Sequence, residues 1–385
     1  MKSTAIFLSS GIGKNQGGPS GYVYNLYEGS LENGDPITVI TPNMNIESAK
    51  KTANSDYSKK KFGVLRSLLY IAKTGMRCRK SYKDVISQYD VIHVHSSQDL
   101  YYLKKYIGYN GTIVFTPHRP ESYANELLNS YRITFGKLDS PTALLKKANW
   151  IEEFSYKNAD HFIFPSSHSR DIYYAFPGFK DNTHGKPTHY LITGTPKKQV
   201  NMNRQDYRNK IGISNDDFMI TFIGRHNEVK GYDLLTSLSD KLDEKGIFTV
   251  CAGSTKGAKI PHSERWIELG YIENVPDLMN SSDIVVIPNR NTYFDLVILE
   301  AFSLGKIVIS SATGGNIDIA SDTKGLLLFE SGNTEELMNA ILRVKQMTAD
   351  ERKVLEEDAQ QYYSRNCRPT QFAKAYKEII KSIIC

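Results

Sequence analysis

The chain has 385 residues, long for one ordinary α/β domain and comfortable for two. Its 40% hydrophobic and 23% charged residues are those of a soluble globular protein, and no apolar run reaches the ~20 residues that a spanning helix needs. The formal net charge of +6 is modest, so no nucleic-acid partner is expected. Cys78, Cys251, Cys367 and Cys385 are scattered without paired spacing, which speaks against a disulfide framework or a zinc site and fits a reducing cytoplasm.

At the N-terminus one lysine precedes Ala5 to Leu8, an apolar run too short for a signal peptide and read as a first buried strand. The loop from Ser9 to Gly21 is glycine-rich. A P-loop is excluded because Leu8 and Asn15 stand where glycine and Ser/Thr are needed, and the dinucleotide fingerprint fails at Gln16. What remains is a flexible loop carrying Gly17 and Gly18 ahead of a helix over Tyr22 to Leu31.

Further strands are predicted at Ile37 to Ile40, Val91 to His95, Thr112 to Phe115 and His161 to Pro165. Between the first two lies a basic segment, residues 50–83, whose lysines and arginines interleave with Phe62, Val64, Leu65, Leu68, Leu69 and Ile71. It reads equally as a helix on an anionic membrane surface or as one packed on its own domain. His93 and His95 share one face of their strand. With no third ligand at hand they read as one core histidine and one at the strand end, and no metal site is predicted.

From about Phe176 to Asn203, Pro177, Gly178, Gly185, Pro187, Gly194 and Pro196 break any periodicity, and the stretch reads as loop and linker. The second half predicts strands at Met219 to Ile223, Phe248 to Cys251, Trp266 to Leu269, Ile284 to Ile287 and Ile307 to Ser310, with an edge strand at Gly325 to Phe329. Helices are predicted over Tyr232 to Asp243, Leu296 to Leu304 and Pro369 to Ile383. Strands alternating with helices indicate two open parallel sheets, in which ligands collect beyond the carboxyl ends of the strands.

Three such ends carry the chemistry. Strand Met219 to Ile223 runs into Gly224-Arg225-His226-Asn227-Glu228-Val229-Lys230-Gly231, where glycines at both ends allow a tight turn. Arg225 and Lys230 would offer a diphosphate a bidentate guanidinium and a point charge. Strand Ile284 to Ile287 leads through Pro288 to Asp295 into an apolar helix that holds one carboxylate, Glu300. A buried carboxylate needs partners, and the hydroxyl pair of a ribose would serve. After Ile307 to Ser310, Gly314 and Gly315 precede a helix and would expose backbone N–H groups to an anionic or hydroxyl-rich ligand.

These residues, with Leu269-Gly270-Tyr271-Ile272, Met279 to Asp283 and Leu299-Glu300-Ala301 to Gly305, resemble the retaining glycosyltransferases of the GT-B fold, specifically family four, over nearly the whole chain. The resemblance implies an α/β protein of two Rossmann-like doubly wound domains facing a central cleft. Residues 1–195 would form an acceptor domain and 196–365 a nucleotide-sugar donor domain, with a C-terminal helix, 366–385, crossing back to the first. By the same resemblance Arg225 and Lys230 hold the donor diphosphate beside Gly224, Glu300 binds the ribose, and Ile272 lies against the base. Gly17 and Gly18 sit by the donor phosphate, and His118 contacts the donor sugar while Arg119 would meet an acidic acceptor.

One departure stands out. The family carries a Glu-x7-Glu pattern, and Thr292 occupies the first position here. Thr292 would still hydrogen-bond a sugar hydroxyl, the amides after it, through Phe294 and Leu296, would reach the transferred sugar and its phosphate, and Asp295 would supply a carboxylate from a shifted position. The donor sugar stays open. The expectation is a cytoplasmic, membrane-peripheral hexosyltransferase of surface-polysaccharide assembly. It would have a nucleotide-sugar as substrate, no cofactor, no metal, and a glycan or lipid-linked glycan as acceptor. A non-catalytic partner subunit and a nucleotide-sugar epimerase are the alternatives.

Overall fold

The structure is a computed structural model that describes residues 3–14, 17–41, 81–135, 142–255 and 257–384. Most of the basic segment 50–83 therefore lies outside the described residues. The chain divides into two compact units, one comprising Met1–Pro165, Arg170–Ile192 and Phe372–Cys385, the other Ser166–Ser169 and Thr193–Gln371. No helix among the described residues is long and apolar enough to cross a membrane.

The first unit is built on a parallel sheet of six strands: β1 (Thr4–Phe7), β2 (Val39–Ile40), β3 (Val91–Val94), β4 (Thr112–Phe115), β5 (His161–Phe164) and β6 (Thr188–Tyr190), in the order β2-β1-β3-β4-β5-β6. Helices cover both faces of such a sheet, so its strands are nearly continuous apolar runs; Ile6, Ile92, Val114 and Ile163 are fully buried. β6 falls in the stretch read as linker. It is a short polar edge strand, Thr-His-Tyr, and a half-exposed edge needs no apolar signal. The first helix, Gly18–Glu32, starts earlier than its periodicity suggests, because Gly17 caps it and Pro19 occupies its first turn. From the last helix, Pro369–Ile384, the side chains of Phe372, Ala373, Tyr376 and Ile380 enter the same core as Ile6, Leu8, Val23 and Leu26.

The second unit repeats the plan with β7 (Phe218–Ile223), β8 (Ile247–Ala252), β9 (Trp266–Glu268), β10 (Ile284–Ile287), β11 (Ile307–Ser311) and β12 (Leu326–Phe329), ordered β12-β11-β10-β7-β8-β9 and all parallel. The strand order reverses between β7 and β10, the switch point at which open sheets gather ligands. The loops following these two strands are Gly224–Gly231 and Pro288–Asp295. The single helix predicted over Tyr232 to Asp243 is two short ones, Tyr232–Thr236 and Ser239–Glu244. Thr236 and Ser237 hydroxyls donate to the carbonyls of Asp233 and Leu234, taking acceptors that a continuing helix would use.

Candidate functional site

At the end of β7, Gly231 has φ +67°, and an added Cβ would lie 1.8 Å from the Pro288 carbonyl oxygen. Only glycine lets the two loops touch there. Gly224 is different: its φ is not positive and an added Cβ would meet nothing nearer than 3.5 Å, so the turn does not depend on it. Arg225 is exposed, and its guanidinium has no hydrogen-bond or ion-pair partner among the described residues. The stem of Lys230 runs over Gly224 and its Nζ stands 3.8 Å from Asp295 Oδ1.

Asp295 is buried, and both carboxylate oxygens are engaged: Asn289 Nδ2 donates to Oδ1 at 2.6 Å and Asn316 Nδ2 to Oδ2 at 3.0 Å. Its side chain consequently makes no capping bond to the helix it heads, Leu296–Ser303. Asp295 therefore acts as an anchor that joins Lys230 to the loops after β10 and β11. Thr292 is buried as well. Gly314 (φ +50°) packs so closely on it that a Cβ would lie 2.1 Å from the Thr292 carbonyl oxygen, and a Cβ on Gly315 would lie 2.3 Å from the Phe294 ring. The Gly315 N–H donates to the Tyr293 carbonyl. The glycine pair also allows close packing, and the Gly315 amide of the expected anion cradle is already donated.

Glu300, half-buried, is paired with Lys198, Nζ to Oε1 at 2.7 Å. The Lys198 N–H also donates to Ser303 Oγ, so the segment entering the unit is tied to both side chains of that helix. Ile272 is half-buried against the cluster of Met219, Val250, Ala252 and Leu278. Sequence reading passed over Lys198 because it lies about 100 residues from its partner in a stretch without pattern. Arg290 was passed over too: it pairs with Asp233 and donates to the Glu228 carbonyl at 2.8 Å, while its N–H donates to the Val229 carbonyl. It stitches the second loop to the first.

In the first unit, His118 Nε2 lies 2.9 Å from His95 Nδ1, and His93 bridges Tyr376 and Thr116. Both histidines are buried, His93 within β3 and His95 directly after its last residue. Burial, then the neighbouring Arg119 cation, lowers the His118 imidazole to about 3; burial and His118 lower His93 to about 3. All three rings, His95 included, are neutral near pH 7. His118 and Gly18 line a cavity of about 200 Å³ together with Pro19, His95 and Arg119. Arg119 Nε sits 2.6 Å from Glu126 and its guanidinium lies over the Tyr123 ring. Gly17 is the cap of the first helix and Gly18 its first residue, at φ +62° with open space around it.

A cluster that sequence reading left unused lies beside the β7 loop. His226, Cys251 and Glu268 bring potential ligand atoms within 4.8 Å of one another. The Glu268 carboxylate, however, already accepts from His226 Nε2 (2.8 Å), Trp266 Nε1 (2.8 Å) and the Tyr232 hydroxyl. It is a hydrogen-bonded hub.

Comparison with known proteins agrees with this architecture. A family model described as Glycosyltransferase Family 4 matches residues 16–182, and one described as Glycosyl transferases group 1 matches residues 217–346. D-inositol 3-phosphate glycosyltransferase of Mycobacteroides abscessus is 27% identical over 147 residues, 35% of this chain and 33% of that protein. The Corynebacterium aurimucosum protein of that name is 26% identical over 271 residues, 62% of this chain and 60% of that protein. The chain thus spans a third to three-fifths of these relatives' length. Among solved structures, sucrose-phosphate synthase from Thermosynechococcus elongatus superposes with a TM-score of 0.66 at 17% identity, covering 100% of this chain and 99% of that one. Anabaena HepE in complex with UDP-glucose gives 0.63 at 16%, covering 99% and 100%. The two family models together take in more than half of the chain, one largely within the first unit and one over the sheet of the second, and the chain belongs to the GT-B glycosyltransferases.

Proposed function

We propose that the protein is a retaining hexosyltransferase that moves a sugar from a nucleotide-diphosphate-sugar to a glycan or lipid-linked glycan, in surface-polysaccharide assembly. The observation that carries this reading is the exposed Arg225 at the carboxyl end of β7, whose guanidinium has no partner among the described residues, in one loop with Lys230. Two cations there would stabilise the diphosphate as negative charge develops on it, preorganised before the bond breaks. Glu300 would take the ribose hydroxyls, with Lys198 as its counter-charge. The first-turn amides from Leu296 would face the donor phosphate, since Asp295 does not cap them. In the first unit the neutral His118 would accept from or donate to a sugar hydroxyl. The acceptor proton would leave on the departing phosphate, so neither a protein base nor a metal is required by this scheme. The co-crystallised UDP-glucose of the Anabaena neighbour supports a nucleotide-sugar as the ligand class.

One observation favours the alternative of a non-catalytic partner. Asp295 is buried and each of its oxygens already accepts from an asparagine, Asn289 or Asn316, which makes it a poor substitute for the carboxylate missing at Thr292. Thermal stabilisation by nucleoside diphosphates and nucleotide-sugars separates the readings, with Arg225→Ala and Glu300→Ala alongside. Stabilisation by one nucleotide, lost in both variants, with slow hydrolysis or transfer of its sugar, supports the enzyme. Binding without any turnover supports the partner subunit, and no binding at all removes the donor site.

A further inference from the structure

We infer that Glu268 is the positioning residue of the diphosphate site, holding Arg225 and Lys230 at a fixed separation by gripping their loop from both ends. The inference rests on the donor-site reading above and adds a residue to it. His226, next in sequence to Arg225, has a fully buried ring whose Nε2 lies 2.8 Å from Glu268 Oε2. Tyr232, two residues beyond Lys230, donates its hydroxyl to Glu268 Oε1, which Trp266 Nε1 also reaches at 2.8 Å. The rings of His226 and Tyr232 meet at 4.1 Å between centroids. One carboxylate on β9 therefore fixes the residues that flank the two cations. The backbone completes the frame: the His226 N–H donates to the Ser254 carbonyl and Gly224 N–H to the Ala252 carbonyl.

Arg225 itself is exposed and its guanidinium has no partner among the described residues, so among them only its backbone anchor limits where it points. A guanidinium held by its neighbour loses less freedom on meeting a diphosphate than one on a loose loop, which is how a residue that never touches the ligand strengthens its binding. Both oxygens of Glu268 are occupied, so the carboxylate is oriented as well as placed. The buried Cys251 beside it has a thiol pushed well up by burial and by this carboxylate, and it stays protonated.

The test compares affinities for the nucleoside monophosphate and diphosphate of the best-binding base among ADP, GDP, UDP and dTDP, by calorimetry on the full chain. A fold defect lowers both affinities together, whereas misplaced cations lower only the gain from the second phosphate. Glu268→Leu is expected to cut that gain about tenfold. Tyr232→Phe, which keeps the ring and removes one donor, is expected to cut it about threefold. Glu268→Gln should restore most of it, since its amide oxygen can accept from Tyr232 and Trp266 and its NH2 can face His226 Nε2. An unchanged diphosphate-to-monophosphate ratio in Tyr232→Phe and in folded Glu268→Leu overturns the inference and leaves the donor site standing. Failure of the unmodified protein to bind any diphosphate overturns both.

Discussion

Replacing Gly231 by alanine tests how firmly the two loops at the switch point of the second sheet are locked. At φ +67° an L-residue costs about 1–2 kcal/mol. The added Cβ would stand 1.8 Å from the Pro288 carbonyl oxygen and 2.6 Å from its carbon, so backbone rather than a flexible side chain must move. Overpacking of that kind costs roughly 1–3 kcal/mol. Together the loss is about 2–5 kcal/mol, and for a unit of this size each kcal/mol shifts Tm by about 2–4 °C, giving a fall of roughly 4–20 °C. Gly224→Ala is the control: its Cβ meets ordinary contacts at 3.5 Å and beyond, and stability should change by less than about 1 kcal/mol. Trp266 belongs to the second unit and Trp150 to the first, so fluorescence melting in a Trp150→Phe background reports the second unit alone. If Gly231→Ala melts within about 2 °C of Gly224→Ala, the close approach of the loops is not what requires glycine.

Other consequences can be measured alongside. Arg208 is fully buried and donates to the Ser281, Ser214 and Asp217 carbonyls at 2.8, 2.8 and 2.7 Å while pairing with Asp283 at 2.9 Å. Arg208→Leu strands the Ser214 and Asp217 carbonyls, while Asp283 and the Ser281 carbonyl keep Arg204, and should cost about 2–4 kcal/mol in urea unfolding of the second unit; a loss below about 1 kcal/mol would contradict it. His93 and His118 are lowered to about 3 by burial, so the unfolded chain binds their protons first. The first unit should therefore keep its stability above pH 6.5 and lose on the order of 1 kcal/mol per histidine for each pH unit below it, and a flat denaturation midpoint between pH 7 and 5.5 would refute this. The Arg290 hydrogen bonds hold the Asp233 carboxyl below its usual range. Their stabilisation is present above the unfolded carboxyl value and disappears as pH falls through the folded one. Both groups are over a third exposed, so Arg290→Leu should cost less than about 1 kcal/mol at pH 7, with the Asp233 titration moving up by NMR.

Most strands were legible because parallel sheets covered on both faces leave uninterrupted apolar runs, as in Ile284 to Ile287 and Phe162 to Phe164. β6 escaped because an edge strand can be polar. The loop Gly224 to Gly231 could be found from its two cations and bounding glycines, yet the two glycines proved unequal, and only the carbonyl of Pro288, 57 residues away in sequence, explains why. The packing role of Gly314 and Gly315 escaped for the same reason: what they face, Thr292 and Phe294, arrives from another loop.

By itself the sequence determined two parallel α/β units, the positions of the strand ends and the cations and carboxylates that follow them. Those features come from local periodicity and residue chemistry. Tertiary structure alone decided which of the polar groups are committed: Asp295 to two asparagines, Arg119 to Glu126, Glu300 to Lys198, and Glu268 to His226, Tyr232 and Trp266. A buried charge must find partners, and those partners lie wherever the fold places them, at separations in the chain that no spacing rule records.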